Sequence, residues 1–156
     1  MIEKKCWLLK SEPSSYSIDD LNKDGETFWD GVRNYQARNF LKGMKIGDRI
    51  LFYHSNAKPS AVVGIAKIIK EAFPDETQFD KNSIYFDLRA TKATPVWFSV
   101  GVSFIKKFKR VVPLGEIRSN PNLQGIGIAQ KGSRLSVLPI LSAHFEEIVR
   151  EGNTKN

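Results

Sequence analysis

The chain has 156 residues, 41% of them hydrophobic, which suffices for one domain whose core needs no disulfide or structural metal. Its single cysteine, Cys6, excludes an internal disulfide and favours a reducing compartment, either the cytoplasm of a bacterium or the nucleus of a eukaryote. No run of 18 apolar residues predicts a membrane span, and the net charge of +7 favours an acidic partner.

The first strand and the first helix are predicted near the N-terminus. Residues 6–9 have the composition of a strand in which Cys6 is a buried, unreactive thiol and Trp7 packs in the core. Ser17 is a candidate helix N-cap with Asp20 three residues further on, and Gly25 predicts the end of that helix.

The next stretch predicts a second helix and two strands. Asn34 can cap a helix over residues 35–42, and Gly43 then supplies the glycine expected at its C-terminal end. Residues 49–54 and 61–69 are rich in apolar and β-branched side chains, which predicts a strand in each.

The second half of the chain is mostly strand-like. Residues 84–89 alternate between polar and apolar side chains and predict a strand, while residues 96–112 predict one bent strand or two short ones. Residues 113–118 favour a helical turn. Pro139, followed by apolar residues at helical spacing, predicts the start of a C-terminal helix that ends at Gly152.

This order of elements is typical of an α+β domain. One strand and two helices are followed mainly by strands and then by a final helix, which differs from a βαβ array. We therefore expect a curved sheet or partial barrel with short helices at its ends. Residues 1–152 are assigned to this single domain and residues 153–156 to a frayed tail.

Positive charge is concentrated in two blocks along the chain. Residues 31–70 contain eight Lys or Arg and one acid, and residues 88–134 contain nine Lys or Arg and one acid. The stretches between and before them are acidic, with five acids and one Lys in 71–87 and six acids and one Lys in 12–30. Such blocks suit a face that binds phosphates, although a basic but merely solvated surface would have the same pattern.

The sequence gives little support for a metal site or for a familiar catalytic motif. His54 and His144 stand far apart in the sequence and only one cysteine is present, so a zinc site is not expected. The sequence lacks G-x-S-x-G, P-loop and G-x-G-x-x-G motifs, and it predicts no cofactor. Ser55 follows His54 directly within a predicted strand, where neighbouring side chains point to opposite faces and cannot act as a catalytic pair.

Glu12 and Asp30 leave two interpretations open. They could form an acid–base pair, since each stands beside strongly patterned residues. The alternative is structural: Glu12 pairs with Lys10 or Arg38, and Asp30 accepts amides of a turn. We favour the structural alternative because no third group that would orient a base is evident.

Four segments combine aromatic and polar side chains, namely residues 7–13, 29–38, 52–55 and 95–98, and they hold all three tryptophans. Recognition of a single-stranded or flipped base needs aromatic faces for stacking and fixed donors and acceptors for the base edge. Residues 29–38, hereafter the signature segment, are the richest in both. For Trp29, core packing and ligand stacking both remain open.

The chain resembles the EVE domain family, a member of the PUA-like superfamily that is related to YTH and ASCH domains. The resemblance covers nearly the whole chain and is carried by W-L-L-K-S-E-P at 7–13, W-D-G-V-R-N-Y-Q-A-R-N-F-L at 29–41, G-D-R-I-L-F-Y-H-S at 47–55, G-I-A at 64–66, P-V-W-F-S-V at 95–100 and R-L-S-V-L-P at 134–139. One departure is Gly101, where other members often carry an acid. The resemblance implies a PUA-like mixed β-barrel with short flanking helices and no established catalysis.

The resemblance also implies a pocket for a modified base of DNA or RNA. Transferred to the matching positions, its lining would comprise Lys10, Ser11, Glu12, Trp29, Asn34, Tyr35, Arg38, Tyr53, His54, Ser55, Gln130, Gly132, Arg134, Leu135 and Ser136. Phosphate contacts are expected from the basic blocks, at Arg33, Lys42, Lys106, Lys107, Lys109 and Arg110.

The leading hypothesis is therefore a non-catalytic binding module for nucleic acid. The main alternative is a receptor for a free nucleobase, a nucleoside or another small molecule, which binds without a polymer. A nucleic-acid hydrolase with Glu12 or His54 as its base is a third possibility.

Overall fold

A computed structural model describes residues 4–132 and 134–154 and contains one mixed sheet with helices on both faces. The strands are β1 (Cys6–Ser11), β2 (Glu26–Trp29), β3 (Arg49–His54), β4 (Ala61–Pro74), β5 (Phe98–Pro113) and β6 (Val137–Ile140). The α-helices are α1 (Ile18–Asp24), α2 (Tyr35–Gly43), α3 (Leu114–Ser119) and α4 (Ser142–Gly152), and short 3₁₀ turns occupy Glu76–Phe79, Pro121–Leu123 and Gly127–Ala129. None of these helices is both long and apolar enough to cross a membrane.

The six strands are ordered β2-β5-β4-β3-β1-β6, so β2 and β6 form the two edges. β1 and β3 run parallel, and the other neighbours are antiparallel. The register between β4 and β5 shifts at four points, and each such irregularity increases the local twist and bends the sheet. The expectation of a curved sheet is confirmed. In the described part of the chain β2 pairs with β5 and β6 pairs with β1, so the barrel remains open.

Both faces of the central strands are buried. On β1, Trp7 and Leu9 point into a first core that α1 and α2 cover. Cys6 and Leu8 point into a second core that is closed by α3, α4 and the 3₁₀ turns. This double burial explains why the strand is apolar without alternation, and it confirms the predicted buried positions of Cys6 and Trp7.

The predicted N-caps and the end of α1 at Gly25 are also confirmed, whereas Gly43 is the last helical residue of α2 and Met44 is its C-cap. The Ser17 hydroxyl accepts from the Asp20 amide at 3.0 Å while the Ser17 amide donates to the Asp20 carboxylate at 2.9 Å, which completes a capping box. Asn34 Oδ1 accepts from the Ala37 amide at 2.9 Å and caps α2. Gly25 has a φ of 79° at the end of α1.

Three predictions of local structure were wrong. The edge strand β2 was missed because it is only four residues long. Residues 84–89 are not a strand but two consecutive turns, because no neighbouring strand satisfies their backbone. Pro139 lies within β6, and the last helix begins only at Ser142. Proline is tolerated in β6 because β6 is an edge strand, where the missing backbone N–H of Pro139 removes a single hydrogen-bond donor.

Candidate functional site

A cleft of about 540 Å³ opens where β1 and β2 end, between the two edges of the open sheet. Five of the residues predicted for a base pocket line it, namely Lys10, Ser11, Glu12, Trp29 and Ser136. The Lys10 amide donates to the Ser136 carbonyl at 2.9 Å, which draws the residue before β6 to the end of β1. The volume lies within the range of about 300–1,000 Å³ that is typical of small-molecule sites.

Several other lining residues were not predicted as pocket residues, among them Tyr16, Phe28, Asp30, Gly31 and Tyr85. Phe28 was missed with its edge strand, and Tyr85 was assigned to a strand that does not form. Ser83 and Asp87, both common turn formers, were the signal that could have placed Tyr85 in a loop.

Trp29 belongs both to the core and to the cleft. Its side chain is only 9% exposed and packs in the first core, edge-on to Phe52 with ring centroids 5.5 Å apart. Tyr16 meets Trp29 edge-on at 6.4 Å from the side of α1. The Tyr16 hydroxyl donates to Asp24 at 2.8 Å; burial and this bond raise the pKa of Tyr16 to about 12, so the phenol stays protonated.

Two charged groups of the cleft have pKa values that differ from the ordinary ones. Burial lowers the pKa of the ammonium of Lys10, a half-buried residue at the end of β1. Burial and the nearby Asp75 carboxylate raise the pKa of Asp30. The Ser11 hydroxyl is already engaged, since it donates to the Tyr16 carbonyl at 2.5 Å. The cleft therefore offers a half-buried cation at Lys10 and an exposed carboxyl group at Asp30 that ionises less readily than usual, and both can bind a polar ligand.

The wall of the cleft depends on a buried carboxylate that sequence reasoning did not single out. Asp75 is fully buried and accepts from the Gly31 amide at 2.8 Å, from the Thr77 amide at 2.8 Å and from Arg33 Nη1 at 2.9 Å. Burial alone would raise the pKa of Asp75, but the bonds from Thr77, Gly31 and Arg33 outweigh it and lower the pKa. Asp75 thus ties the signature segment to the loop of residues 75–97.

Arg33 uses all five of its donors within the protein. Besides Asp75, its guanidinium donates to the Val32 and Tyr85 carbonyls and to the Thr77 hydroxyl, at 2.8–3.2 Å. It also lies 5.3 Å from the ring centroids of both Tyr85 and Trp97. These contacts give Arg33 a structural role, and its phosphate contact stays a prediction.

Asn34, Tyr35 and Arg38 lie outside the lining of the cleft. The Tyr35 ring stacks on Trp97 with centroids 5.0 Å apart, and the Arg38 guanidinium lies 4.9 Å from the Tyr35 centroid. Arg38 donates to the Asn39 side chain and to the Val96 carbonyl, and among the described residues Glu12 forms an ion pair with neither Lys10 nor Arg38, the two expected partners. Asn34 is occupied as the cap of α2.

The three predicted residues at the end of β3 are also used structurally. Tyr53 is buried in the second core, and burial raises its pKa. His54 Nε2 accepts from the Ile18 amide at 3.0 Å and so satisfies the start of α1; burial lowers the pKa of His54 and favours this neutral acceptor. The Ser55 amide donates to the Ser11 carbonyl at 3.0 Å.

The predicted segment before β6 contributes Ser136 to the cleft, and its other members lie elsewhere. Leu135 packs against both cores. The Gln130 side chain donates to the Ile126 carbonyl at 3.3 Å, and Gly132 has a φ of 79° in a turn. Arg134 is exposed.

Some of the basic residues predicted to contact phosphate already form ion pairs with acidic side chains, and others do not. Arg110 forms ion pairs with Glu116 and Glu151, and Lys107 pairs with Asp19 at 2.8 Å. Lys42 lies 4.8 Å from the centroid of the Phe98 ring. Lys106 and Lys109 make no ion pair with any described residue.

The predicted tail reaches beyond the described chain. Arg110 Nε donates to the Thr154 hydroxyl at 3.0 Å, while residues 155–156 lie outside the described residues.

No three His, Cys, Asp or Glu side chains in residues 4–132 and 134–154 are placed to hold a metal ion.

The family model of the EVE domain matches residues 5–151. The chain belongs to the EVE domain family. Thymocyte nuclear protein 1 of Gallus gallus is 50% identical over 162 residues, a match that covers 92% of this chain and 66% of the relative. The chain therefore spans just under two thirds of that relative's length.

Two solved structures of EVE relatives cover almost the whole chain. A protein from Pseudomonas syringae is 44% identical, with a TM-score of 0.91, and the match covers 94% of this chain and 99% of that one. Human THYN1 protein, solved in complex with DNA that contains 5-methylcytosine, is 37% identical with a TM-score of 0.90, and the match covers 98% of this chain and 100% of that one. These likenesses confirm the PUA-like α+β fold that the sequence resemblance implied.

The departure of this EVE domain at Gly101 has a local reason. Gly101 on β5 lies between Phe28 on β2 and Lys70 on β4 in the same row of the sheet. A Cβ at position 101 would stand 2.7 Å from the Lys70 Cβ. With no side chain there, the Lys70 ammonium reaches within 5.3 Å of the Phe28 ring centroid at the edge of the cleft.

Proposed function

We propose that this EVE domain is a non-catalytic reader that takes one modified cytosine of DNA into the cleft at the ends of β1 and β2. The observation that carries the proposal is the lining itself, which combines the aromatic residues Phe28, Trp29 and Tyr85 with the charged residues Lys10, Glu12 and Asp30. The human relative solved with DNA that contains 5-methylcytosine supports cytosine as the base.

The lining offers each group that a 5-methylcytosine base needs. Aromatic side chains provide stacking, which contributes roughly 1–3 kcal/mol per base. The carboxyl groups of Glu12 and Asp30 can accept from the exocyclic amine of cytosine, and the Lys10 ammonium can donate to its acceptor atoms or to a phosphate. The 5-methyl group adds apolar area that an aromatic wall can bury.

The proposal divides the charged residues into two groups. Lys106 and Lys109 have no ion-pair partner among the described residues and are free to meet phosphates, whereas Arg110 and Lys107 are compensated by acids. Phosphate contacts release counterions, so affinity for an oligonucleotide should fall steeply with salt. A receptor for a free nucleoside would lack that dependence.

Lys10→Gln tests the cleft, with Lys45→Gln as the matched control at the opposite end of β1. Both changes remove one positive charge, but Lys10 lines the cleft and Lys45 is an exposed partner of Glu71 at 3.8 Å. Binding is measured by fluorescence anisotropy with oligonucleotides that carry 5-methylcytosine or cytosine, as DNA and as RNA. We expect Lys10→Gln to weaken binding of the modified DNA at least about tenfold, which corresponds to about 1.4 kcal/mol, and Lys45→Gln to change it little.

Free 5-methylcytidine included as a competitor separates the reader from a nucleoside receptor. If the nucleoside binds as tightly as the oligonucleotide, the basic surface contributes nothing and the reader model fails. A hydrolase would instead show turnover of the oligonucleotide that is lost in Glu12→Gln.

The animal relatives are named thymocyte nuclear protein 1, which supports a location in the nucleus if the protein comes from a eukaryote. If it comes from a bacterium, the cytoplasm is the proposed location.

A further inference from the structure

Two consecutive turns next to the cleft hold large aliphatic side chains in water. The Phe86 amide donates to the Ser83 carbonyl at 3.2 Å, which places Ile84 and Tyr85 at the centre of the first turn. The Ala90 amide donates to the Asp87 carbonyl at 3.0 Å, which places Leu88 and Arg89 at the centre of the second. Ile84 is 90% exposed and Leu88 is 85% exposed.

In each turn the second central residue anchors the loop to the signature segment. The Tyr85 ring packs on Gly31 in the wall of the cleft. Arg89 Nη1 donates to the Tyr35 hydroxyl at 2.9 Å. Ile84 therefore faces solvent directly beside a residue of the cleft lining, and Leu88 faces solvent beside a side chain that is held by the signature segment.

The turns are rigidly supported. The Asp87 amide donates to the Gln78 carbonyl at 3.0 Å, and the Asp87 carboxylate accepts from the Trp97 indole at 2.8 Å and from Arg89 at 2.8 Å. Both aliphatic side chains stand in water on a loop that is already held by these hydrogen bonds, so a partner that covers them would bury apolar area without first having to order the loop.

The acidic composition of this region does not exclude a nucleic-acid partner. Asp75 pairs with Arg33, Asp87 with Arg89, and Glu76 with Lys92. The acids that give residues 71–87 their negative charge in the sequence are thus largely compensated in the fold. Phosphates that approach the cleft along this loop meet little net repulsion.

We infer that Ile84 and Leu88 form a wedge that enters the base stack of a DNA duplex and fills the gap left by the base in the cleft. This inference rests on the proposed function. A base reaches a pocket only by leaving the stack, and apolar side chains inserted between base steps stabilise such an opened duplex. A single strand has no stack to hold open, so the wedge acts on duplex DNA alone.

The test compares Ile84→Ser/Leu88→Ser with the control Leu141→Ser, which removes another aliphatic side chain that is 67% exposed at the start of α4. Affinity is measured for one 5-methylcytosine sequence as a duplex and as a single strand. We expect the double variant to bind the duplex at least about tenfold more weakly, and the single strand as wild type does. The control should match wild type on both.

A second readout follows the opening of the stack. 2-Aminopurine is placed beside the 5-methylcytosine, because its fluorescence rises when stacking is lost. Wild type should raise the signal of the duplex, and the double variant should not at saturating protein. Unchanged duplex affinity in the double variant, or an equal loss on duplex and single strand, would overturn the wedge. Failure of the proposed function is distinct: wild type itself would then bind methylated and unmethylated strands equally.

Discussion

The phenol ring of Tyr85 lies directly on Gly31, so closely that a Cβ on Gly31 would stand 2.8 Å from the ring carbon Cζ. Gly31 also has a φ of 80°, in the left-handed region where other residues are strained. The contact joins the signature segment to the 75–97 loop and holds the Tyr85 ring in the lining of the cleft. Its removal should therefore change ligand binding and not only stability.

Gly31→Ala tests this contact. The methyl group displaces the Tyr85 ring and the positive φ costs about 1 kcal/mol, so we expect weaker binding of 5-methylcytosine DNA together with lower stability. Gly25→Ala is the matched control, because Gly25 has a φ of 79° but no atom within 4 Å of an added Cβ. Both variants are compared by urea unfolding and by DNA affinity. Equal affinities in the two variants would show that the Tyr85 contact does not shape the site.

The second prediction concerns the buried ion pair of Asp75 and Arg33. Asp75→Ala leaves the Gly31 and Thr77 amides and the Arg33 charge without their acceptor, and we expect a loss of about 3 kcal/mol of unfolding free energy. Glu76→Ala is the control, since Glu76 pairs with Lys92 at 3.8 Å on an exposed surface, where such pairs contribute about 0–1 kcal/mol. Urea unfolding measures both. A similar small loss in the two variants would contradict the anchoring role of Asp75.

The third prediction is that protonation of His54 makes the stability of the fold depend on pH. Burial lowers the pKa of His54 in the folded protein below its usual value. At a pH between these two pKa values the unfolded chain binds more protons than the folded chain does. Stability is therefore fully present above about pH 6.5 and is lost as the pH falls through the lowered folded pKa. Thermal unfolding from pH 8 to pH 5 measures the slope.

Two substitutions separate the proton effect from the hydrogen bond. His54→Gln can keep an acceptor for the Ile18 amide but does not titrate, so its stability should depend less on pH in this range. His54→Leu removes the acceptor and should be destabilised at every pH, by about 1–3 kcal/mol for an unsatisfied amide. An unaltered slope in His54→Gln would assign the acid sensitivity to other groups.

The fourth prediction divides the basic residues of β5. Lys106→Ala/Lys109→Ala should lower DNA affinity and reduce the slope of log K against log salt by about 1.8 if each lysine meets one phosphate. Arg110→Ala should chiefly lower stability, because it breaks the pairs with Glu116 and Glu151. Salt titrations of DNA binding and urea unfolding are measured on both. A salt slope that does not change in the double variant would remove this strand from the interface.

Local signals in the sequence were sufficient for the elements whose hydrogen bonds are made within a few residues. Ser17 and Asn34 were identified as caps because a side chain and an amide three residues apart satisfy each other in any fold that contains the helix. The end of β1 was also predicted to belong to a base pocket, and its residues line the cleft. β2 and the turns at residues 84–89 were not, because a short edge strand and an alternating loop differ only in whether a neighbouring strand accepts their hydrogen bonds.

The sequence by itself determined the fold class, the buried strands, the helix caps and the clustering of aromatic and polar groups in the signature segment. Only the tertiary structure decided which of those groups reach the cleft: Lys10, Glu12 and Trp29 do, whereas Asn34, Tyr53 and His54 are used within the fold. The physical reason is that a polar side chain forms hydrogen bonds with whichever donor or acceptor group lies nearest in the fold. Long-range packing determines which group that is. In the same way, contacts with residues more than forty positions away let the buried Asp75 support the wall of the cleft and place Tyr85 in its lining.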